Sequence, residues 1–292
     1  MFKLAVFTDE ISQDLQRAID MAQEFKLKGL EIRSVWNKKG PHDLNSNEIK
    51  KIKEMTRENG LTICSIASPF FKCDLNSEEE YQAHLKILQN CIVVAHQLDC
   101  SLIRGFTFWR KGDFKENLER ILSKFEEPVK LLEKEGVTLG IENEASTFIG
   151  NGRNLSQFLR KINSPYIKAV WDPANSVFDP DGEVPYPDGY EAIKNWMVHM
   201  HLKDARRNPK TGEPECVPVG EGVVDYRGQL KALKNDHYEG YVSLETHWRP
   251  EEELSEEERN LPGGKKFSRL AEKASRICLE NLQKLMEEIN GS

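Results

Sequence analysis

Three carboxylates and one imidazole stand at the ends of short apolar runs. Glu142 closes Leu139-Gly-Ile-Glu, Asp172 closes Val170-Trp-Asp, His201 follows His199-Met, and Glu245 closes Val242-Ser-Leu-Glu. This donor set suits a divalent cation that prefers oxygen with one nitrogen, such as Mn²⁺, Mg²⁺ or Co²⁺, with Zn²⁺ also accommodated. Alternate side chains of a strand face opposite ways, so parity tests whether the four can meet. With the four on one face, the other face carries Leu139, Ile141, Ala169, Trp171, Val198, Met200, Leu202, Val242 and Leu244, all apolar. Below the four, the shared face carries Thr138, Gly140, Val170, His199 and Ser243. Ordinary rim charges are the plain alternative, but they do not explain the coincidence of type, parity and strand end.

Strands with apolar outsides and small or polar insides are what a barrel wrapped by helices requires. The chain supplies eight such runs: Leu4–Phe7, Leu30–Ile32, Ile63–Ala67, Leu102–Arg104, Leu139–Glu142, Ile167–Asp172, Val198–Leu202 and Tyr241–Glu245. Segments with apolar residues at three- and four-residue spacing alternate with them: Leu15–Phe25, Ile49–Asn59, Tyr81–Leu98, Leu118–Glu135, Leu155–Ile162, Tyr190–Met197, Arg227–Asn235 and Leu270–Ile289. Glycines at Gly29, Gly60, Gly136 and Gly240 are placed to take a left-handed helix cap before the next strand. Right-handed crossovers close these units most simply as an α/β fold, a single (β/α)8 TIM barrel forming one domain over residues 1–292. Function then belongs in the loops after the strands, here Trp36 to His42, Ser68 to Asp74, Phe106 to Arg110, Asp179 to Gly189 and Ala205 to Val224. The acidic segment Pro250 to Arg259 reads as solvated surface with a short helix.

Composition narrows the partners. The 292 residues carry a formal net charge of −7, which argues against a nucleic-acid backbone as partner. No run approaches membrane-spanning length, and no apolar signal core precedes the first strand. Six cysteines without C-x-x-C or zinc-ligand spacing read as buried free thiols of a reducing compartment, so a cytoplasmic location is expected.

Other residues can be ranked around the four. His199 shares parity with His201 but lies one layer deeper, so depth favours His201 as ligand and His199 as a packed, orienting histidine. Glu144 and His247 lie past the strand ends and read as groups behind the ligands or on substrate, with plain rim exposure as the alternative. Arg104, inward on the fourth strand, could orient anionic or polyhydroxyl substrate ends together with Lys203, Arg206 and Arg207; rim salt bridges are the competing reading. Trp36, Phe70, Phe71, Phe106, Phe108 and Trp109 could wall a pocket and exclude water, or form a contact within a homo-oligomer.

As a set, Ile141-Glu-Asn143, Trp171-Asp-Pro-Ala-Asn175, His199-Met-His-Leu-Lys-Asp204, Val217-Pro-Val-Gly-Glu-Gly222 and Ser243-Leu-Glu-Thr-His247 resemble the xylose-isomerase-like sugar phosphate isomerase/epimerase family. The resemblance covers essentially the whole chain. It implies one divalent ion held by Glu142, Asp172, His201 and Glu245, and a substrate contact at Arg207. It also implies proton transfer through a metal-stabilised enediolate, with Glu142 and Glu245 as acid and base on a small carbohydrate substrate. One position departs from the ketose 3-epimerases of that family. Asn175 stands where they carry a histidine; it can hydrogen-bond a substrate hydroxyl but cannot act as acid or base near neutrality. Other readings of the same residues are an inosose-dehydratase-like dehydration of a cyclic polyol ketone, an endonuclease-IV-like phosphodiesterase, and a non-enzymatic sugar-binding barrel. The phosphodiesterase needs a multi-zinc cluster, and the chain holds only seven histidines, few of them at strand ends.

Overall fold

The structure is a computed structural model that describes residues 2–38 and 40–291; Lys39, in the loop after the second strand, lies outside the described residues. Eight parallel strands close a barrel: β1 (Lys3–Phe7), β2 (Gly29–Ile32), β3 (Thr62–Ala67), β4 (Leu102–Gly105), β5 (Thr138–Glu142), β6 (Ile167–Trp171), β7 (Met197–Leu202) and β10 (Tyr241–Leu244). Each strand pairs with its sequence neighbour, and β1 pairs with β10 to complete the ring. The outward residues named above are buried under helices, except Val198, which is partly exposed. Between β7 and β10 the chain adds an antiparallel hairpin of β8 (Asp204–Arg207) and β9 (Pro214–Val217), where a loop was expected. The Asp204 carboxylate ties its return down, accepting from the Gly220 and Gly222 backbone N–H at 2.9 and 3.0 Å. A Cβ at Gly222 would stand 1.9 Å from Asp204 Oδ1, so this tie demands glycine.

The wrapping helices are α1 (Leu15–Glu24), α2 (Ser46–Glu58), α3 (Glu78–Gln97), α4 (Phe114–Lys124), α5 (Glu126–Glu135), α6 (Gly152–Ile162), α7 (Asn175–Phe178), α8 (Tyr190–Ile193) and α9 (Tyr226–Asn235). After β10 come α10 (Glu256–Asn260), α11 (Gly264–Phe267) and α12 (Ala271–Gly291). Side-chain caps start several of them, including a reciprocal Asn45–Glu48 box on α2 and Asp113 on α4.

Three local expectations need correction. The helix expected over Leu118–Glu135 is two helices meeting at Phe125. Pro128 has no N–H to give the Lys124 carbonyl, which accepts from Tyr81 Oη at 3.2 Å instead. The helix expected over Tyr190–Met197 ends at Ile193, because Met197 already belongs to β7. Of the four glycines expected in left-handed caps, Gly60 and Gly136 adopt φ of 65° and 66°. At the other two joints Lys26 and His237 take the left-handed position, with φ of 57° and 54°. Gly29 serves close packing: its Cβ would meet Cε1 of Tyr241 at 2.7 Å.

Candidate metal centre

Strand parity and strand ends deliver the site. Glu142 ends β5, Asp172 follows β6, His201 lies in β7 and Glu245 follows β10. One donor atom from each lies within 4.8 Å of every other, and all four residues are buried. His201 Nδ1 is 3.1 Å from Glu142 Oε1 and 3.7 Å from Glu245 Oε2. Its Nε2 faces the other way, 3.4 Å from Glu31 Oε1, while His199 Nε2 is 2.9 Å from Glu31 Oε2. His199 therefore sits behind the cluster, through Glu31. Asn143 accepts from the Asp172 backbone N–H at 2.9 Å and donates to its carbonyl at 2.8 Å, which fixes the strand tip. Within this cluster three buried carboxylate oxygens, Glu142 Oε2, Asp172 Oδ2 and Glu245 Oε2, accept no hydrogen bond and have only ion-pair neighbours, Lys203 at 2.8 Å from Asp172 Oδ2 the nearest.

The connected ion-pair network explains what those oxygens need. Six carboxylates (Asp9, Glu10, Glu31, Glu142, Asp172 and Glu245) meet four permanent cations (Arg33, Arg104, Lys203 and Arg249). With neutral histidines the network is two positive charges short, the charge of one divalent ion. Without such an ion, protons fill the deficit. Burial pushes Asp172 up to about 7, with Lys203 opposing and Glu142 adding to the rise. Burial would lower His201, but Glu142 and Glu31 outweigh it and raise the imidazole to about 10. Glu245 is held well below the ordinary carboxylate range, because His247, Lys203 and Arg33 overcome its burial. The donor set thus fits a divalent cation in type, number and charge. Two further acid–histidine groupings, Glu31–His199–His201 and Glu10–Glu245–His247, share a member with the first. The second of these is already faced by Arg33 and Arg249, which oppose another cation.

The remaining candidates divide. Lys203 reaches into the cluster, its Nζ 2.8 Å from Asp172 Oδ2 and 2.9 Å from Asn175 Oδ1. Asn175 Nδ2 donates to the Asn143 carbonyl at 2.7 Å and to Glu142 Oε1 at 3.3 Å. Arg104 Nε stands 3.3 Å from Glu142 Oε2. His247 lies 3.4 Å from Glu245 and 3.5 Å from Glu10, and Glu144 lies 3.4 Å from Lys72 Nζ. A mouth cavity of about 250 Å³ is lined by Glu144, Asn175, Lys203 and His247 from the barrel and by Glu256 and Arg259 from above. The acidic segment is therefore a cover over the barrel mouth as well as surface.

Arg207 is not brought to this site. It is exposed on the hairpin, with its guanidinium on the Gly212 carbonyl at 3.2 Å. Trp109, half-buried, does not line this cavity; it lines a neighbouring one with Glu256, Glu257, Asn260 and Leu261. Phe70, Phe71 and Phe108 do not wall the pocket. Left-handed φ values of 65° at Phe71 and 66° at Phe108 accompany burial of all three in a stack, with centroids 3.8 and 4.2 Å from Phe71. Residues not anticipated are Asp9, Glu10, Glu31, Arg33, Lys72 and Arg249. Extending the parity rule to β2 points both Glu31 and Arg33 inward; the loop residues carry no comparable periodic signal.

The xylose isomerase-like TIM barrel family profile matches residues 14–263. L-ribulose-5-phosphate 3-epimerase UlaE of Escherichia coli is 26% identical over 164 residues, 55% of this chain and 55% of that protein. The match thus spans little more than half the length of that curated relative. A D-tagatose 3-epimerase-like protein superposes with a TM-score of 0.74 at 20% identity, covering 99% of both chains. The probable 3-DHS dehydratase AsbF from Bacillus anthracis superposes with a TM-score of 0.68 at 16% identity, covering 92% of this chain and 98% of that one. With the closed barrel and a profile match over most of its length, the chain belongs to the xylose isomerase-like TIM barrel family.

Proposed function

We propose that this chain, as one domain, is a divalent-metal-dependent isomerase or epimerase of a sugar, sugar phosphate or related polyol ketone. The observation that carries the reading is the buried convergence of Glu142, Asp172, His201 and Glu245, with three carboxylate oxygens that accept no hydrogen bond. These four are the proposed ligands, and Mn²⁺, Mg²⁺ and Co²⁺ are the fitting ions. Such an ion supplies Lewis-acid polarisation of a substrate carbonyl.

The protein's own groups do the rest. Glu142 and Glu245 flank the cluster, and one removes the proton next to the carbonyl while the other returns one. Lys203 and Asn175 line the mouth beside them and are placed to hydrogen-bond substrate oxygens. The cover from Glu256 to Asn260 keeps bulk water from the reacting carbon. UlaE, a 3-epimerase of a phosphorylated pentulose by name, supports the reaction class. Asn175 in place of a histidine loosens the link to 3-epimerisation itself. Dehydration of a cyclic polyol ketone starts with the same proton removal, and AsbF is by name a probable dehydratase. Product analysis separates the two.

The test is a product-resolved screen of ketoses, ketose phosphates and inososes, read by solvent-deuterium wash-in next to the carbonyl. Glu142→Asp and Glu245→Asp withdraw a carboxylate by about one bond, and a misplacement of about 1 Å costs on the order of 100-fold in rate. Mn²⁺ titration of stripped protein should show one strong site that Asp172→Ala and His201→Ala weaken. Unchanged Mn²⁺ affinity in both variants removes the ligand assignment; undiminished exchange in both aspartate variants removes the acid/base assignment.

A further inference from the structure

Beside the proposed ligands lies a separate cavity of about 610 Å³, to which Arg33, Lys72, Arg104, Phe106 and Ser68 contribute. Arg33 is fully occupied by Asp9, Glu10 and Glu245. Arg104 is not. Its residue is only 4% exposed, and its Nε is buried with no hydrogen-bond partner. Glu142 Oε2, at 3.3 Å, is its one carboxylate partner among the described residues, outside hydrogen-bond geometry. A buried guanidinium that gives no hydrogen bond among the described residues is costly to keep and is aimed at something else.

Lys72 adds a second cation on the same ring. Its Nζ lies 4.3 Å from the Phe106 centroid, and the Arg104 guanidinium carbon lies 4.5 Å from it. Lys72 is also buried, and burial lowers its pKa; Glu144 opposes that shift and the Arg104 charge adds to it. Lys72 is held by one carboxylate, Glu144 at 3.4 Å, and one carbonyl, Asn260 at 2.7 Å, while Arg104 faces one carboxylate, Glu142, to which it gives no hydrogen bond. Around this cavity Glu257 is the one acidic residue, against Arg33, Lys38, Lys72 and Arg104.

We infer that Arg104 and Lys72 form the seat for an anionic group, a phosphate or a carboxylate, carried by the polyol ketone that reacts at the metal site. The inference rests on the proposed function for the word substrate, but the seat itself stands on the cavity and the unpaired guanidinium. Arg104 touches Glu142 on one side and the cavity on the other, so a single molecule can occupy both. The planar fork of Arg104 matches two oxygens of either group, while Lys72 supplies a point charge.

Calorimetric titration of the full chain in Mg²⁺ buffer, with inorganic phosphate in one arm and glycerate in the other, tests the seat. At least one anion should bind wild type and lose about tenfold or more in affinity in Lys72→Met and Arg104→Gln. Lys72→Arg should retain most of that affinity, which separates a charge effect from misfolding. Binding in the phosphate arm alone marks a phosphorylated substrate; binding in the glycerate arm alone marks a sugar acid. Absence of binding in both arms, or equal affinity across wild type, Lys72→Met and Arg104→Gln, overturns the inference. Deuterium wash-in from a neutral ketose, with KM unchanged in Lys72→Met, also overturns it while leaving the proposed reaction intact. Anion binding lost in both variants, without wash-in from any substrate, supports the seat and removes the catalytic reading.

Discussion

Arg33 shows how the buried charges depend on one another. It pairs with Glu245, contacts Asp9 at 3.0 Å and Glu10 at 3.1 Å, and its guanidinium lies over Phe7 and Phe267. Removing one partner from a buried network leaves uncompensated charge, at a cost of about 3–5 kcal/mol. Arg33→Met is therefore expected to lower unfolding stability by about that amount, measured by urea denaturation. A loss below about 1 kcal/mol, the range of exposed pairs, would show that water screens this network. Protons at His201 and Asp172 give a second expectation. With His201 raised to about 10 in the metal-free site, imidazolium prevails near pH 8. Metal binding must displace that proton, so affinity should rise with pH and about one proton should be released per site at pH 8. Titration in buffers of different ionisation enthalpy reads that number directly; no proton release would mean that the imidazole is already neutral.

At the scale of elements, the site depends on how closely the βα units approach each other. α6 begins at Gly152, where a Cβ would stand 2.5 Å from the Gly189 carbonyl oxygen. Backbone meets backbone there, so no side chain can swing aside. Gly152→Ala is expected to cost about 1–3 kcal/mol through overpacking, seen as an earlier urea midpoint with unchanged slope. Full wild-type stability would mean that the Pro185–Gly189 turn yields. The glycine devices differ in cause across the fold. Gly60 and Gly136 relieve the strain of left-handed backbone, whereas Gly29 and Gly152 leave space for a close approach. Lys26 and His237 hold two other left-handed caps without glycine, which shows that the cap belongs to the joint and not to the residue type.

For the whole molecule, metal and pH act on one equilibrium. His201 has a folded pKa of about 10 against an ordinary 6.5, so its contribution is present below 6.5 and lost as pH rises through 10. Asp172, raised from 3.8 to about 7, acts in the same direction over the lower window. Metal-free protein should therefore lose stability from about pH 6.5 to pH 10, above the range in which His84 and His247, both lowered by burial, act the opposite way. A divalent ion at 100 times its Kd adds about 2.7 kcal/mol, a rise of several degrees in Tm. That gain should be larger at pH 8 than at pH 6, because fewer protons compete. Thermal scans with and without Mn²⁺ at both pH values check this, and a gain independent of pH would place the ion away from His201. Among the described residues no helix is long and apolar enough to cross a membrane.

The alternation of apolar and polar residues along the strands determined the eight strands, the barrel and the face on which Glu142, Asp172, His201 and Glu245 would meet. Period-two patterning is local and survives in the bare sequence. The same rule read on β2 would have placed Glu31 and Arg33 inward. Loops carry no period, so only the tertiary structure decided that Phe71 and Phe108 turn into the core, that Arg207 stays on the hairpin, and that the acidic segment folds over the mouth. Only the closed barrel could also decide the charge balance. Asp9, Glu10, Arg33, Arg104, Lys203 and Arg249 come from distant units, and their sum acquires meaning when closure brings them into one buried network.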